Sequence, residues 1–134
     1  MEDRHLCKAR PIGTRKQWVT GFYAVLGEKT VIIVNEPEKF YDVDSGKNSH
    51  GNKIVEVIPK TVCQCTGLKD KNGKLIFEND ILSGHIDDEF PEDETRKRVV
   101  WHENGWCTNE PGCDYYEELD DFDSENFEVI GNMI

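Results

Sequence analysis

Two Asn-Gly dipeptides, Asn72-Gly73 and Asn104-Gly105, each separate short runs of strand-forming residues. Asparagine and glycine both accept the positive φ required at the centre of a type I′ turn, so each dipeptide is a strong hairpin signal. The first joins Leu68–Lys71 to Lys74–Phe77. The second joins Arg98–Glu103 to Trp106–Thr108, which brings Trp101, Glu103 and Trp106 within cross-strand reach. A third hairpin is predicted upstream: Gln17–Gly27 is rich in aromatic and β-branched residues, Gly27–Lys29 turns the chain, and Thr30–Asn35 returns. The unbroken apolar run Val31–Val34 suits a strand covered on both faces. Strand, tight turn and strand at short intervals predict a mainly β fold, a small antiparallel barrel or sandwich built from hairpins, with long polar loops and little helix.

The remaining segments agree with that reading. His5–Ala9 alternates, with Leu6 and Lys8 on one side and His5, Cys7 and Ala9 on the other, until Pro11 and Gly13 end the strand. Glu36–Lys53 is a long polar connection. Ile54–Ile58 forms the next strand, with Val55 and Val57 opposite Ile54, Glu56 and Ile58, and Pro59 opens a short helical turn. Asn126–Gly131 is the last strand. Residues 87–99 lack the apolar stripe of a helix and contain Pro91.

At 134 residues the chain suits one domain spanning 1–134, or two subdomains of about 1–60 and about 61–134. The net charge of −11 is uneven: residues 1–85 carry 13 basic and 11 acidic groups, residues 86–134 carry 3 and 16. Two acidic runs, Ile86–Glu94 and Glu117–Glu125, dominate this balance and read as solvated loops, with a docking surface for a basic partner or an imitation of DNA as the alternatives. Their field disfavours nucleic acid as a general partner. No secretory h-region follows Met1, and no apolar run approaches the ~20 residues of a membrane span, so no membrane association is expected. Five cysteines without an export signal read as reduced thiols in a cytoplasm.

Tests for specific chemistry come back empty, so no cofactor, metal or catalytic residue is expected. The glycine-lysine stretch Thr66–Leu75 continues into a strand, whereas a phosphate loop feeds a helix. Cys63 and Cys65 project from one strand face about 6.5–7 Å apart, awkward for one zinc ion, and read as small buried thiols. Asp121–Glu125 alternates acids but places Asn126 and Asn132 where a calcium loop needs glycine and glutamate. His5 with Cys7, or His102 near Cys107, would be coincidental pairs among four histidines and five cysteines. The basic residues Arg4, Lys8, Arg10, Arg15 and Lys16 beside Trp18, Phe22 and Tyr23 offer a speculative single-strand nucleic-acid face, centred on Arg10, Lys16 and Trp18.

The stretch Gln64–Leu82, QCTGLKDKNGKLIFENDIL, resembles the signature of the YopX family of phage and prophage proteins. Segments 5–10, 18–23, 54–62, 98–107 and 127–132 align with the family in order. The structural signature falls on Thr66, Gly67, Leu68, Asp70, Asn72, Gly73 and Asp80. Cys65 stands where an aromatic is usual and Asn79 where glycine is usual, a replacement that asparagine tolerates in left-handed backbone. The resemblance implies a β fold of SH3-like barrel character and a phage-encoded accessory protein in the cytoplasm of a bacterial host. It implies no known activity. The expected mode of action is non-enzymatic, through a host or phage protein partner or as a homo-oligomer, with single-stranded nucleic-acid binding as the alternative.

Overall fold

A computed structural model describes residues 3–13, 17–35, 40–42, 47–49, 52–85 and 94–134. They form two compact units, one of Leu6–Val62 and one of Met1–His5 with Cys63–Ile134.

The unit Leu6–Val62 contains β1 (Cys7–Ala9), β2 (Val19–Leu26), β3 (Lys29–Asn35), β4 (Phe40–Asp42), β5 (Lys47–Ser49) and β6 (Asn52–Glu56). Its antiparallel ladder runs β6-β3-β2-β1, while β4 and β5 pair with each other. Leu26 pairs with Lys29, leaving Gly27-Glu28 as a two-residue loop in which Gly27 takes φ 65°. Ala9, Ile32 and Val57 form the core, with Cys7, Val19, Val34, Val55 and Val62 packed around it. In β3 the neighbours Val31 and Ile32 point to opposite faces, yet both are buried, as the apolar run predicts for a central strand. Val55 and Val57 turn inward while Ile54 and Glu56 stay exposed. Pro59 opens a 3-10 turn through Thr61, whose hydroxyl accepts from Arg10 N–H at 2.9 Å and donates to Ile58 C=O at 2.7 Å.

Two expectations change in this unit. The connection predicted over Glu36–Lys53 lies largely outside the described residues, and its described parts are the β4–β5 ladder and the start of β6. The first strand is also shorter than expected. His5 belongs to a 3-10 turn over Asp3–His5, so it shares no strand face with Cys7.

The other unit contains β7 (Cys63–Lys69), β8 (Leu75–Phe77), β9 (Asp80–Gly84), β10 (Thr95–His102), β11 (Gly105–Asn109), β12 (Glu117–Glu118), α1 (Asp121–Asn126) and β13 (Phe127–Asn132). Five strands form an antiparallel sheet in the order β12-β11-β10-β9-β13, and β7 pairs with β8. Ile76, Leu82, Val99, Leu119 and Phe127 make the core, joined by Leu68, Trp106 and Val129. The fold is mainly β. The expected closed barrel does not form among the described residues: β12 and β13 end the sheet on opposite edges. β12 has only two residues, too short a ladder to close a ring.

The first Asn-Gly turn departs from the type I′ expectation in conformation, and the second keeps positive φ at both central residues but sits one residue earlier. At the first, only Gly73 has positive φ, 84°. Gly73 N–H donates to Asp70 C=O at 3.0 Å and Asp70 N–H to Lys74 C=O at 2.7 Å, giving a type I turn that ends in a glycine bulge. Asp70 explains the choice. One carboxylate oxygen accepts from Asn72 N–H and Lys74 N–H, both at 2.9 Å, which holds the chain in this longer loop. At the second hairpin His102 pairs with Gly105, so the turn is centred on Glu103 (φ 48°) and Asn104 (φ 75°), one residue earlier than predicted. The Trp101 and Trp106 rings meet edge to face at 5.0 Å across this hairpin, a contact that favours this register.

The acidic run Ile86–Glu94 lies outside the described residues except for Glu94. The run Glu117–Glu125 is not simply a solvated loop, because it contains α1. Asp120 caps that helix: its carboxylate accepts from Asp123 N–H while the Asp123 carboxylate accepts from Asp120 N–H, both at 3.3 Å. Aspartate at the position where glutamate or glutamine usually completes this box concealed the helix start. Asp123 is only 2% exposed and takes the Lys97 ammonium at 2.9 Å. Lys97 also lies 3.9 Å from Glu117 and 4.6 Å above the Phe127 ring.

A buried pair of this kind is costly to break from one side. Lys97→Met is expected to lower unfolding free energy by about 3–5 kcal/mol, because it strands the Asp123 charge. Lys97→Met with Asp123→Leu should recover most of that loss, as measured by urea denaturation of the singles and the double.

Candidate functional site

The signature residues form a structural frame, and two of them, Thr66 and Leu68, also line a surface groove. The Thr66 hydroxyl donates to Ile76 C=O at 2.9 Å and accepts from Leu68 N–H at 3.1 Å. Gly67 has φ 87°, and a Cβ there would stand 3.3 Å from Arg4 Cβ, so glycine is needed for conformation and for space. Leu68 packs against the core. Asp70 adds a third bond, from Val129 N–H at 2.8 Å, tying the β7–β8 turn to β13. Asn72 donates to Glu128 at 3.0 Å. Asp80, fully buried, accepts from Phe77 N–H at 2.7 Å and from the Asn132 amide at 2.8 Å. Their partners are backbone and side-chain groups of β7, β8, β13 and the turns between them.

Both departures from the family pattern have structural partners. Asn79 takes φ 68°, and its amide oxygen accepts from Arg98 at 2.9 and 3.3 Å, a bond glycine cannot make. The Cys65 sulfur is fully buried and accepts from Gly67 N–H at 3.4 Å. Cys63 and Cys65 are both buried, and Cys7, Cys107 and Cys113 are half-buried. His102 and Cys107 do not form an activated pair: the thiol faces the His102 C=O at 3.9 Å, while the imidazole stacks on Tyr116 at 3.8 Å. Burial pushes the Cys107 thiol above its ordinary value, and the Glu118 and Glu103 carboxylates add to that. Burial and then Glu110 do the same for Cys113.

The basic cluster of the other unit is partly self-associated. Lys8 is buried in β1, and its ammonium lies 4.7 Å from the Trp18 ring; the Arg10 guanidinium lies 4.2 Å from the same ring. Arg15 and Lys16 fall outside the described residues. The Trp18 face is thus engaged by cations of its own chain, where a stacked base would have to compete.

Two surface features escaped the sequence reading, and both lie along β10, where alternate residues face opposite ways. Lys97 and Val99 point into the core; Arg96 and Arg98 point out. Beside them Ile81, Ile130, Met133 and Pro111 line an apolar hollow of about 410 Å³. A β-bulge delivers Ile130: Val129 pairs with Leu82 and Gly131 with Ile81, so Ile130 is the extra residue. Ile130 and Met133 are 46% and 58% exposed. Glu94, hydrogen-bonded by the Ser83 hydroxyl and by Arg96, is held below the usual carboxylate range. The second feature, at the turn end of the same strand, is a groove of about 520 Å³ lined by His102, Glu103, Trp106, Cys107, Tyr116 and Glu118 among others. Each feature assembles side chains from segments distant in sequence, so no local motif marked it.

Among the described residues no group of three or more His, Cys, Asp or Glu is placed to hold a metal ion, and no helix is long and apolar enough to cross a membrane. Thiolate is the reactive form of cysteine, so the raised Cys107 and Cys113 values have a direct consequence. At pH 8 alkylation of both is expected to lag behind the same residues in urea-unfolded protein, and the lag should shrink as pH rises through the thiol range. Peptide-resolved mass spectrometry would measure it.

No curated protein sequence matches the chain. The sequence pattern of one family, described as YopX protein, matches residues 25–133 and so takes in every signature residue placed above. The chain belongs to the YopX family.

Proposed function

We propose that this protein is a phage or prophage accessory protein that works in the cytoplasm of a bacterial host, without catalysis, through contacts with other proteins, including further copies of itself. The observation that carries the reading is the outer face of the C-terminal sheet. There Ile130 and Met133 stand exposed around an apolar hollow, with the Arg96 and Arg98 guanidiniums beside it. An apolar centre with arginines at its border is the usual composition of a protein contact, and arginine is favoured at such positions. Family membership supports the phage origin, and the hydrogen bonds of the buried Asp70 and Asp80 to backbone and side-chain donors support a structural rather than a catalytic role for that stretch.

Homo-oligomerisation fits the same face, because much of the chain's remaining surface is acidic and could meet the two arginines. Sizing with multi-angle light scattering should give a mass above that of one chain at high protein concentration. Ile130→Asp with Met133→Asp should return the mass to one chain while leaving the circular dichroism spectrum unchanged. A wild-type mass of one chain at every concentration would remove the oligomer clause.

The alternative, single-stranded nucleic-acid binding through Arg10, Lys16 and Trp18, has the weaker support, since Arg10 already lies on Trp18. It requires salt-sensitive binding of single strands that disappears in Arg10→Glu/Lys16→Glu.

A further inference from the structure

The groove at the turn end of the β10–β11 hairpin has a composition different from the arginine-bordered face. Its floor is Leu68, Trp106 and Leu119, its walls include the stacked His102–Tyr116 pair, and its carboxylates are Glu103 and Glu118. None of its lining residues is lysine or arginine. Glu118 pairs across the β11–β12 ladder with Cys107, and Glu103 sits at the turn, so acids reach the groove from two different elements. Their fields converge on the Cys107 thiol, which both carboxylates push in the same direction. Aromatic rings beside carboxylates, in a hollow that no lysine or arginine lines and where the His102 imidazole lies 3.7 Å from Glu103, suit a cationic side chain with a flat or aliphatic body.

We propose that this groove binds an arginine side chain presented by a basic segment of a partner protein. The guanidinium lies against the Trp106 and Tyr116 side of the groove and pairs with Glu103 and Glu118, while its aliphatic stem covers Leu68 and Leu119. The occupant is chosen by charge complementarity: the unit that forms the groove carries the acidic excess of residues 86–134, 16 acids against 3 bases. The net negative charge of this unit attracts a basic segment before the groove selects a single residue from it. The inference rests on the reading that the protein acts through protein contacts, and it names the chemistry of one such partner.

The test uses the full chain and a tetra-arginine peptide, with tetra-citrulline as an uncharged analogue of nearly the same shape. In amide and indole NMR spectra, tetra-arginine should shift the Trp106 indole and the Glu103–Cys107 amides, and tetra-citrulline should not. Glu103→Gln/Glu118→Gln changes two exposed side chains outside the core, and it should weaken binding by about tenfold or more. A Trp106→Leu variant, checked for retained dispersion of its spectrum, should weaken it independently of charge. Equal binding of the citrulline peptide, unchanged affinity in the Gln double variant, or shifts spread over exposed acids such as Asp114 and Glu125 would each overturn the proposal. Failure here is distinct from failure of self-association. A chain that stays monomeric yet binds tetra-arginine at Trp106 keeps the groove, whereas an oligomer that ignores the peptide loses only the groove.

Discussion

The Asp70 carboxylate is the small group on which the C-terminal unit depends most. One of its oxygens closes the β7–β8 turn through Asn72 N–H and Lys74 N–H, and the other holds Val129 N–H of the last strand. A buried carboxylate with three backbone donors fixes their positions and satisfies groups that would otherwise be costly to bury. Asp80 repeats the device three residues beyond β8, joining Phe77 N–H to the Asn132 amide. Residues some fifty to sixty positions apart are thereby held beside each other by side-chain hydrogen bonds as well as by core packing.

β10 then distributes the chemistry. Its inward residues carry the Lys97–Asp123 pair, which secures α1, and Val99, which enters the core. Its outward residues place Arg96 and Arg98 beside an apolar hollow, and its turn supplies Glu103 to the aromatic groove. One strand thus separates a cationic, apolar face from an anionic, aromatic one, a separation of charge that suits two distinct contacts on a single small unit.

Many of the strands and turns were legible because they follow local rules. The two hairpins, the apolar alternation in β6 and the proline-opened turn at Pro59 each rest on residues close in sequence. The turn details were less legible. The first depends on Asp70 capturing nearby N–H groups and the second on Trp101 meeting Trp106, so Asn-Gly located both turns without setting the conformation of the first or the register of the second. α1 was missed because Asp123 replaces the usual capping glutamate and because its buried partner, Lys97, lies 26 residues away.

By itself, the sequence determined the mainly β class, the positions of the hairpins and the family, since all three are written in contiguous residues. Tertiary structure decided the open sheet, the burial of Lys97 and Asp123, and the assembly of the two candidate surfaces. The physical reason is that burial and proximity are properties of packed segments. Neither Ile130 beside Arg98 nor Glu118 across from Cys107 exists as a neighbour until the strands have paired.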